Sequence, residues 1–450
     1  MWGVGMVVRL FSLLLLSLLV LPLSGCRDSL LDPASPVRLS FWHVYGAQAD
    51  SPMNRLVELF NLTEGKKQGI IVNVTSLSNT VAIHFPLVAA AKGEPGAGVL
   101  PDIFVTYPKT VLTIGADRFA DWNEYLPPEK RKDYVPAFLE EGMIDGRQVM
   151  FPVAKSSRAL FVNATIFDRF SAETGLTYDD LITWEGMFKA AEAYHRWSGG
   201  KAFFKYDEWM HYSLLNTAAL GGEFFAGRKV NFDSPHFARV WKQLARAALS
   251  GHVCMLKCFS TAAMMVGETL CGVESTASIL YFKDTMTFPD NTHLPLRLRV
   301  LPAPKFAEAR PLTILAGSSL CIPKSTKAKE YAASVFAQWL TKEENNVPFV
   351  LSTGYLPVKS EAFSRVIKAE QLEGLPEKTQ ELYKAVNRLH REYEFYKLPF
   401  FDGYGELEKK FCDEQMALFE RWIDKCGGKT PDDATLDAMF DEFRERMEQS

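Results

Sequence analysis

The side chains that could do chemistry in this 450-residue chain are scattered, and the patterns that would gather them into a reaction centre are broken. No Gly-x-Ser-x-Gly nucleophile elbow and no His-Glu-x-x-His zinc pattern occurs. Gly222 to Lys229 starts like a phosphate-cradling P-loop, but Arg228-Lys229 stands where a Lys-Ser/Thr pair must reach phosphate and magnesium. Gly96-Ala97-Gly98 begins like a dinucleotide fingerprint, yet it precedes a strand pattern and lacks the third glycine. The 8 histidines occur singly, and Glu208-x-x-His211 reads as a coincidence on one helix face. No metal or cofactor is called for. The paired carboxylates of a glycosidase need no fixed spacing, so a carbohydrate-cleaving enzyme stays as an alternative.

Cysteine is the remaining reactive type. Cys254, Cys258 and Cys271 read as a local disulfide plus a free thiol, since a soft-metal site would need a fourth ligand at finger-like spacing. Cys412 and Cys426 fall on one helical pattern; at ~1.5 Å per residue they stand about 21 Å apart, too far to bridge. Cys26 is different. It closes the run Leu23-Ser24-Gly25-Cys26 behind a lone basic Arg9 and an apolar stretch, Leu10 to Leu21, too short to cross a bilayer comfortably. That run resembles the bacterial lipobox, where a peptidase cuts before a cysteine bearing a diacylglycerol thioether. Residues 1–25 are then a signal peptide and 26–36 a linker from the lipidated cysteine, tethered outside the cytoplasmic membrane.

About 425 residues remain beyond that leader, enough for two or more domains. A formal net charge of -4 argues against nucleic acid as the main partner. Aromatic residues make up 12% of the chain, including 9 Trp, which suits either a sugar-stacking cleft or large cores.

The elements that must position any site follow from periodicity. Val37 to His43 alternates as a strand, Ser51-Pro52 caps a helix with Met53, Leu56, Val57 and Phe60 on one stripe, and Ile70 to Val74 is a second strand. A helix over Val81 to Lys92 and a strand over Asp102 to Val105 complete a pattern of strands and crossover helices, that of a mostly parallel sheet. Further on, Ser234-Pro235 opens a helix striped by Phe237, Val240, Trp241 and Leu244, Leu312 to Ile322 reads as one buried strand, and the tail is helical. The class is α/β. Ligands of such sheets bind beyond the carboxyl ends of the strands, which marks Trp42 and His43 ending the first strand and Tyr107 just past the third. Trp209, in a helical stretch, is either a stacking residue or core.

Several separated segments together resemble one family, the family 1 extracellular solute-binding proteins of ABC importers. They are Phe41-Trp42-His43, Phe151 to Asn163, Thr183-Trp184-Glu185, Gly221 to Phe225 leading to Asn231-Phe232-Asp233-Ser234-Pro235, Ala316 to Leu320, and Gly354-Tyr355-Leu356-Pro357-Val358. The resemblance covers about Val37 to Glu361 in the right order. It implies a two-lobe periplasmic-binding-protein fold of the class II type, lobes joined by a hinge of crossing segments, with solute clamped between them. On that analogy lobe I takes residues 37–152 plus 317–352, and lobe II takes 153–316 plus 353–450. It further implies a polar solute (sugar, oligosaccharide or polyol phosphate), a membrane permease as partner, a monomer, and no catalysis. A sensor feeding a membrane receptor is the alternative. Crossing-segment contacts to solute are then Ser156, Ser157, Arg158, Gly317, Ser318 and Tyr355; Lys397 stands loosely where one branch holds phosphate. Arg158 tests solute charge, because a guanidinium in a closed cleft seeks a carboxylate or phosphate.

Overall fold

The computed structural model describes residues 30–46, 51–78, 80–366, 368, 372–427 and 430–449, so the lipobox and Cys26 lie outside the described residues. Strand β1 (Val37–His43) buries Leu39 and Phe41 and runs parallel to β2 (Ile70–Ser76), with Val37 opposite Ile70. Between them lies helix α1 (Pro52–Leu62), which starts where the Ser51 side chain accepts from the Asn54 N–H and Pro52 fills the first turn. Helix α2 (Thr80–Lys92) leads to β3 (Ile103–Thr106), also parallel to β1, and α3 (Pro108–Ile114) follows at once. After α4 (Pro136–Glu141) and β4 (Phe151–Pro152) the chain crosses to a second sheet.

That sheet is built from β5 (Arg158–Asn163), β6 (Ala202–Tyr206), β7 (Thr269–Ser275) and β8 (Leu298–Pro302), in the order β8-β5-β7-β6. Helices α5 (Trp184–Trp197), α6 (Trp209–Ala219) and α7 (Pro235–Leu249) connect and flank its strands. The chain then returns through β9 (Leu312–Ile314) and β10 (Ser319–Cys321). β10 inserts beside β3, giving the first sheet the order β2-β1-β3-β10-β4. Helices α8 (Lys327–Leu340), α9 (Glu343–Thr353) and α10 (Glu377–Glu392), strand β11 (Glu394–Tyr396), and helices α11 (Tyr404–Cys426) and α12 (Asp433–Glu448) complete the chain.

Three expectations change. Leu312 to Ile322 is two strands: β9 pairs in parallel with β11, β10 pairs antiparallel with β3, and Gly317 turns the chain between them at a φ of +88°. The first sheet is consequently mixed, because β10 enters from the opposite direction. The expected disulfide is absent. Cys254, Cys258 and Cys271 are all free; Cys271 is buried on β7, where its thiol meets the Phe203 carbonyl at 3.3 Å. Cys412 and Cys426 are also free, at separate points along α11.

Two apolar cores hold these layers. One gathers Phe41, Phe60 and Phe336 on the first sheet, the other Trp184, Trp241 and Phe443 around the second. Trp241 of α7 stacks on Phe443 of α12 with ring centroids 5.3 Å apart, and its indole N–H donates to Gln415 of α11 at 2.9 Å. The tail helices are therefore part of the second core. Trp burial of this extent dominates local packing energy.

Candidate functional site

Both sheets turn carboxyl ends toward a shared cavity of about 180 Å³. From the first sheet come Tyr107, just past β3, Lys109 in the first turn of α3, and Glu141 at the end of α4. The second sheet supplies Arg158 at the start of β5, Asp207 and Glu208 just past β6, His211 in the first turn of α6, and Ser275 ending β7. Antiparallel pairing explains this meeting: Arg158 lies opposite Ser275, so the start of one strand sits beside the end of the next. Crossing residues Ser156 and Ile314 to Ala316 form the floor, and Leu398, Phe400 and Glu408 close one side.

The polar groups form one chain of contacts. Arg158 pairs with the Glu208 carboxylate, whose Oε2 also lies 3.1 Å from His211 Nδ1. His211 Nε2 lies 3.0 Å from Glu408 Oε1, and Glu408 Oε2 accepts from Lys109 Nζ at 2.8 Å. Lys109 and Glu408 come from opposite sides of the cavity, α3 and α11. Burial opposes ionisation of Glu408, but His211 and Lys109 outweigh it and hold the carboxyl at about 2. Burial lowers the His211 pKa, partly offset by Glu408. The Tyr107 hydroxyl is pushed up to about 12, again mainly by burial.

Behind the rim, burial raises the Asp207 carboxyl despite two bonds from Ser260, whose N–H donates at 2.8 Å. Burial and the neighbouring Asp207 charge raise Glu274 to about 8. Beneath the cavity Lys155, fully buried, pairs with Glu141 and donates to the Gly317 carbonyl at 2.5 Å. A buried pair so bonded locks the crossing segments together. Among the described residues, no histidine, cysteine and acid cluster is arranged to hold a metal ion.

Of the residues singled out from sequence, Tyr107, Ser156 and Arg158 line the cavity. Ser157 points to the other side of the crossing, with its Oγ 2.6 Å from Thr313 Oγ1 and donating to the Ile314 carbonyl. Gly317 gives its carbonyl to Lys155, and Ser318 meets the Tyr45 hydroxyl at 3.3 Å. Tyr355 packs edge-on against Tyr45 with centroids 5.2 Å apart and does not line the cavity. His43 is fully buried: its Nε2 lies 2.9 Å from Asn54 Oδ1, its Nδ1 accepts from the Tyr45 N–H, and burial pushes its pKa down to about 4. Trp42 packs on the first core and Trp209 is buried beneath Lys205. Lys397 lies outside the cavity lining and donates to the Glu140 carbonyl at 2.9 Å. These placements follow from alternation. On the 155–158 crossing, consecutive side chains take opposite faces, so Ser156 and Arg158 reach the cleft while Lys155 and Ser157 hold the frame.

Lys109, Glu208, His211 and Glu408 emerge only from the structure. The Glu208-x-x-His211 spacing, a coincidence by sequence, is a real contact at the cavity wall. Lys109 carried a faint signal too, a strand end followed by Pro108 at a helix start.

Two mixed sheets joined by crossing segments, with charged side chains converging between them, define a two-lobe binding-protein fold. Residues 59–373 match the family described as bacterial extracellular solute-binding protein, and the chain belongs to that family. Its members are extracytoplasmic binding proteins, not enzymes. The fold is shared with the cyclic alpha-maltosyl-1,6-maltose binding protein from Arthrobacter globiformis, at 19% identity over 92% of this chain and 100% of that one, TM-score 0.68. UgpB from Mycobacterium tuberculosis, solved in complex with glycerophosphocholine, matches at 16% identity over 92% and 98% of the two chains, TM-score 0.67. Maltose-bound MalE3 from T. maritima matches at 16% identity over 91% and 99%, TM-score 0.64. No protein of the curated sequences matches significantly.

Proposed function

We propose that this chain captures a polar organic solute in the cleft between its sheets and delivers it to an ABC permease, with no catalysis of its own. The observation that carries this is the convergence of Tyr107 and Lys109 from one sheet with Arg158, Glu208 and His211 from the other on one polar cavity. A solute bridging the two sides gains desolvated hydrogen bonds from both only when they close, which is how a hinged binder converts capture into a changed surface. The sugars and glycerophosphocholine bound by proteins of the same fold support a polar organic solute.

Lobe I is assigned residues 37–152 plus 317–352, and lobe II 153–316 plus 353–450. Support comes from β10 joining the first sheet while α11 and α12 pack around α7. Tyr107, Ser156 and Arg158 are assigned to solute contact. Cys26 is assigned as the lipid anchor; Cys26→Ser is expected to release the protein from membranes on fractionation, and persistent anchoring contradicts the assignment.

The test of the reading is a thermal-shift screen of the full chain in detergent against sugars, oligosaccharides and polyols. A solute binding only the folded chain at 100 times its dissociation constant adds about 2.7 kcal/mol. Arg158→Ala should abolish that shift while leaving the ligand-free melting temperature close to wild type. A screen with no shift for any member counts against the reading.

A further inference from the structure

Lys109 and Arg158, the lysine and arginine lining the cavity, each already hold a carboxylate, as does Lys155 buried below. Arg158 is paired with Glu208, Lys109 donates to Glu408 at 2.8 Å, and Lys155 below them is paired with Glu141. His211 stands between the first two pairs, 3.1 Å from Glu208 and 3.0 Å from Glu408, and braces both carboxylates in place. Lys397, the other cation a phosphate could use, lies outside the cavity lining and donates to a backbone carbonyl.

From this arrangement we infer that Glu208, with Glu408, is a specificity-determining residue that caps the cleft cations and restricts the solute to molecules of no net charge, excluding phosphate esters. The inference rests on the proposed solute-binding role and sharpens its solute class. An incoming phosphate oxygen seeks the Arg158 guanidinium, but the site beside it is held by a carboxylate of the same sign. Like charges brought together in a cleft repel, so a phosphate–guanidinium pair must offset that repulsion or displace Glu208. Glu208 is 40% exposed and Arg158 only 8%, so the solute meets the carboxylate before the guanidinium.

A hydroxylated neutral solute meets a different surface. The two ion pairs offer carboxylate oxygens as acceptors and leave donors beside them, and together they carry no net charge. The buried Arg158 Nε–H has no partner in the protein, so the guanidinium is not saturated by its pair with Glu208. Hydroxyl groups can donate to the carboxylate oxygens and accept from the neighbouring cations without displacing any ion pair.

The experiment is calorimetric titration of the full chain in detergent with inorganic phosphate and with glycerol 3-phosphate. Wild type is expected to bind neither at millimolar concentration. Glu208→Gln removes the cap and is expected to bind phosphate at least about tenfold more tightly than wild type. Adding Arg158→Gln to that variant should erase the gain, which assigns it to the uncapped guanidinium. Glu408→Gln reads the same effect at Lys109 and keeps the test decisive if Glu208→Gln folds poorly. Tight phosphate binding by wild type overturns the inference while leaving solute capture intact, as does a failure of both variants to gain affinity. Failure of every neutral solute in the thermal screen bears instead on the solute-binding reading.

Discussion

At the residue scale, Glu274 shows how a buried carboxyl behind the cleft rim keeps a proton. Its carboxyl is buried, its Oε2 accepts from the Thr261 hydroxyl at 2.6 Å, and its Oε1 has no hydrogen-bond partner. Burial and the nearby Asp207 charge raise it from 4.5 to about 8. Between those values the folded chain keeps a proton that the unfolded chain has released. Stability therefore falls as pH rises through that window, by roughly 1.4 kcal/mol per pH unit from this group. Glu274→Gln keeps the shape and removes the titration. Urea melts at about pH 5 and about pH 8 should show the variant gaining stability over wild type at the higher pH. An unchanged difference between the two pH values would show that the group is not held protonated. His43 sits on the other side of neutrality: burial lowers it to about 4, so its neutral form resists acid until that range.

The elements that carry these residues meet at the crossing segments, and their geometry depends on Gly317. Its φ is +88°, and a Cβ there would come 2.8 Å from the Ser156 backbone nitrogen and 2.9 Å from the Lys155 Cα. Gly317→Ala is expected to destabilise the chain by about 1–3 kcal/mol. The loss is read as a lower urea midpoint at unchanged slope, and a midpoint equal to wild type would remove the close approach from the account. Local pattern made much of this scale legible in the sequence. The Val37–His43 alternation and the Ser51-Pro52 cap specify β1 and α1 by contacts a few residues apart. The bend at Gly317 was not legible, because an apolar run reads the same whether it makes one strand or two. What splits it is pairing with β3 on one side and β11 on the other, partners remote in sequence.

For the whole molecule, the decisive contacts join distant parts of the chain. Lys109 and Glu408 are separated by 299 positions and meet across the cleft at 2.8 Å. No local spacing announces such a pair, whereas Tyr107 follows from a strand end and Arg158 from the resemblance of 151–163 to the family's crossing segment. His43, at a strand end, and Tyr355, in a crossing segment, show the limit of position in sequence order: in the fold His43 is held by Asn54 and Tyr355 packs on Tyr45. The same long-range contacts make the cleft a property of the assembled fold, and solute bound there must protect segments from both sheets at once. Amide hydrogen exchange of the full chain, with and without a solute found in the thermal screen, tests this most directly. The account predicts slowed exchange together at 107–109, 156–158, 207–211 and 404–408, the segments that bear Lys109, Arg158, Glu208 and Glu408. Protection confined to one sheet, or falling outside these segments, would contradict it.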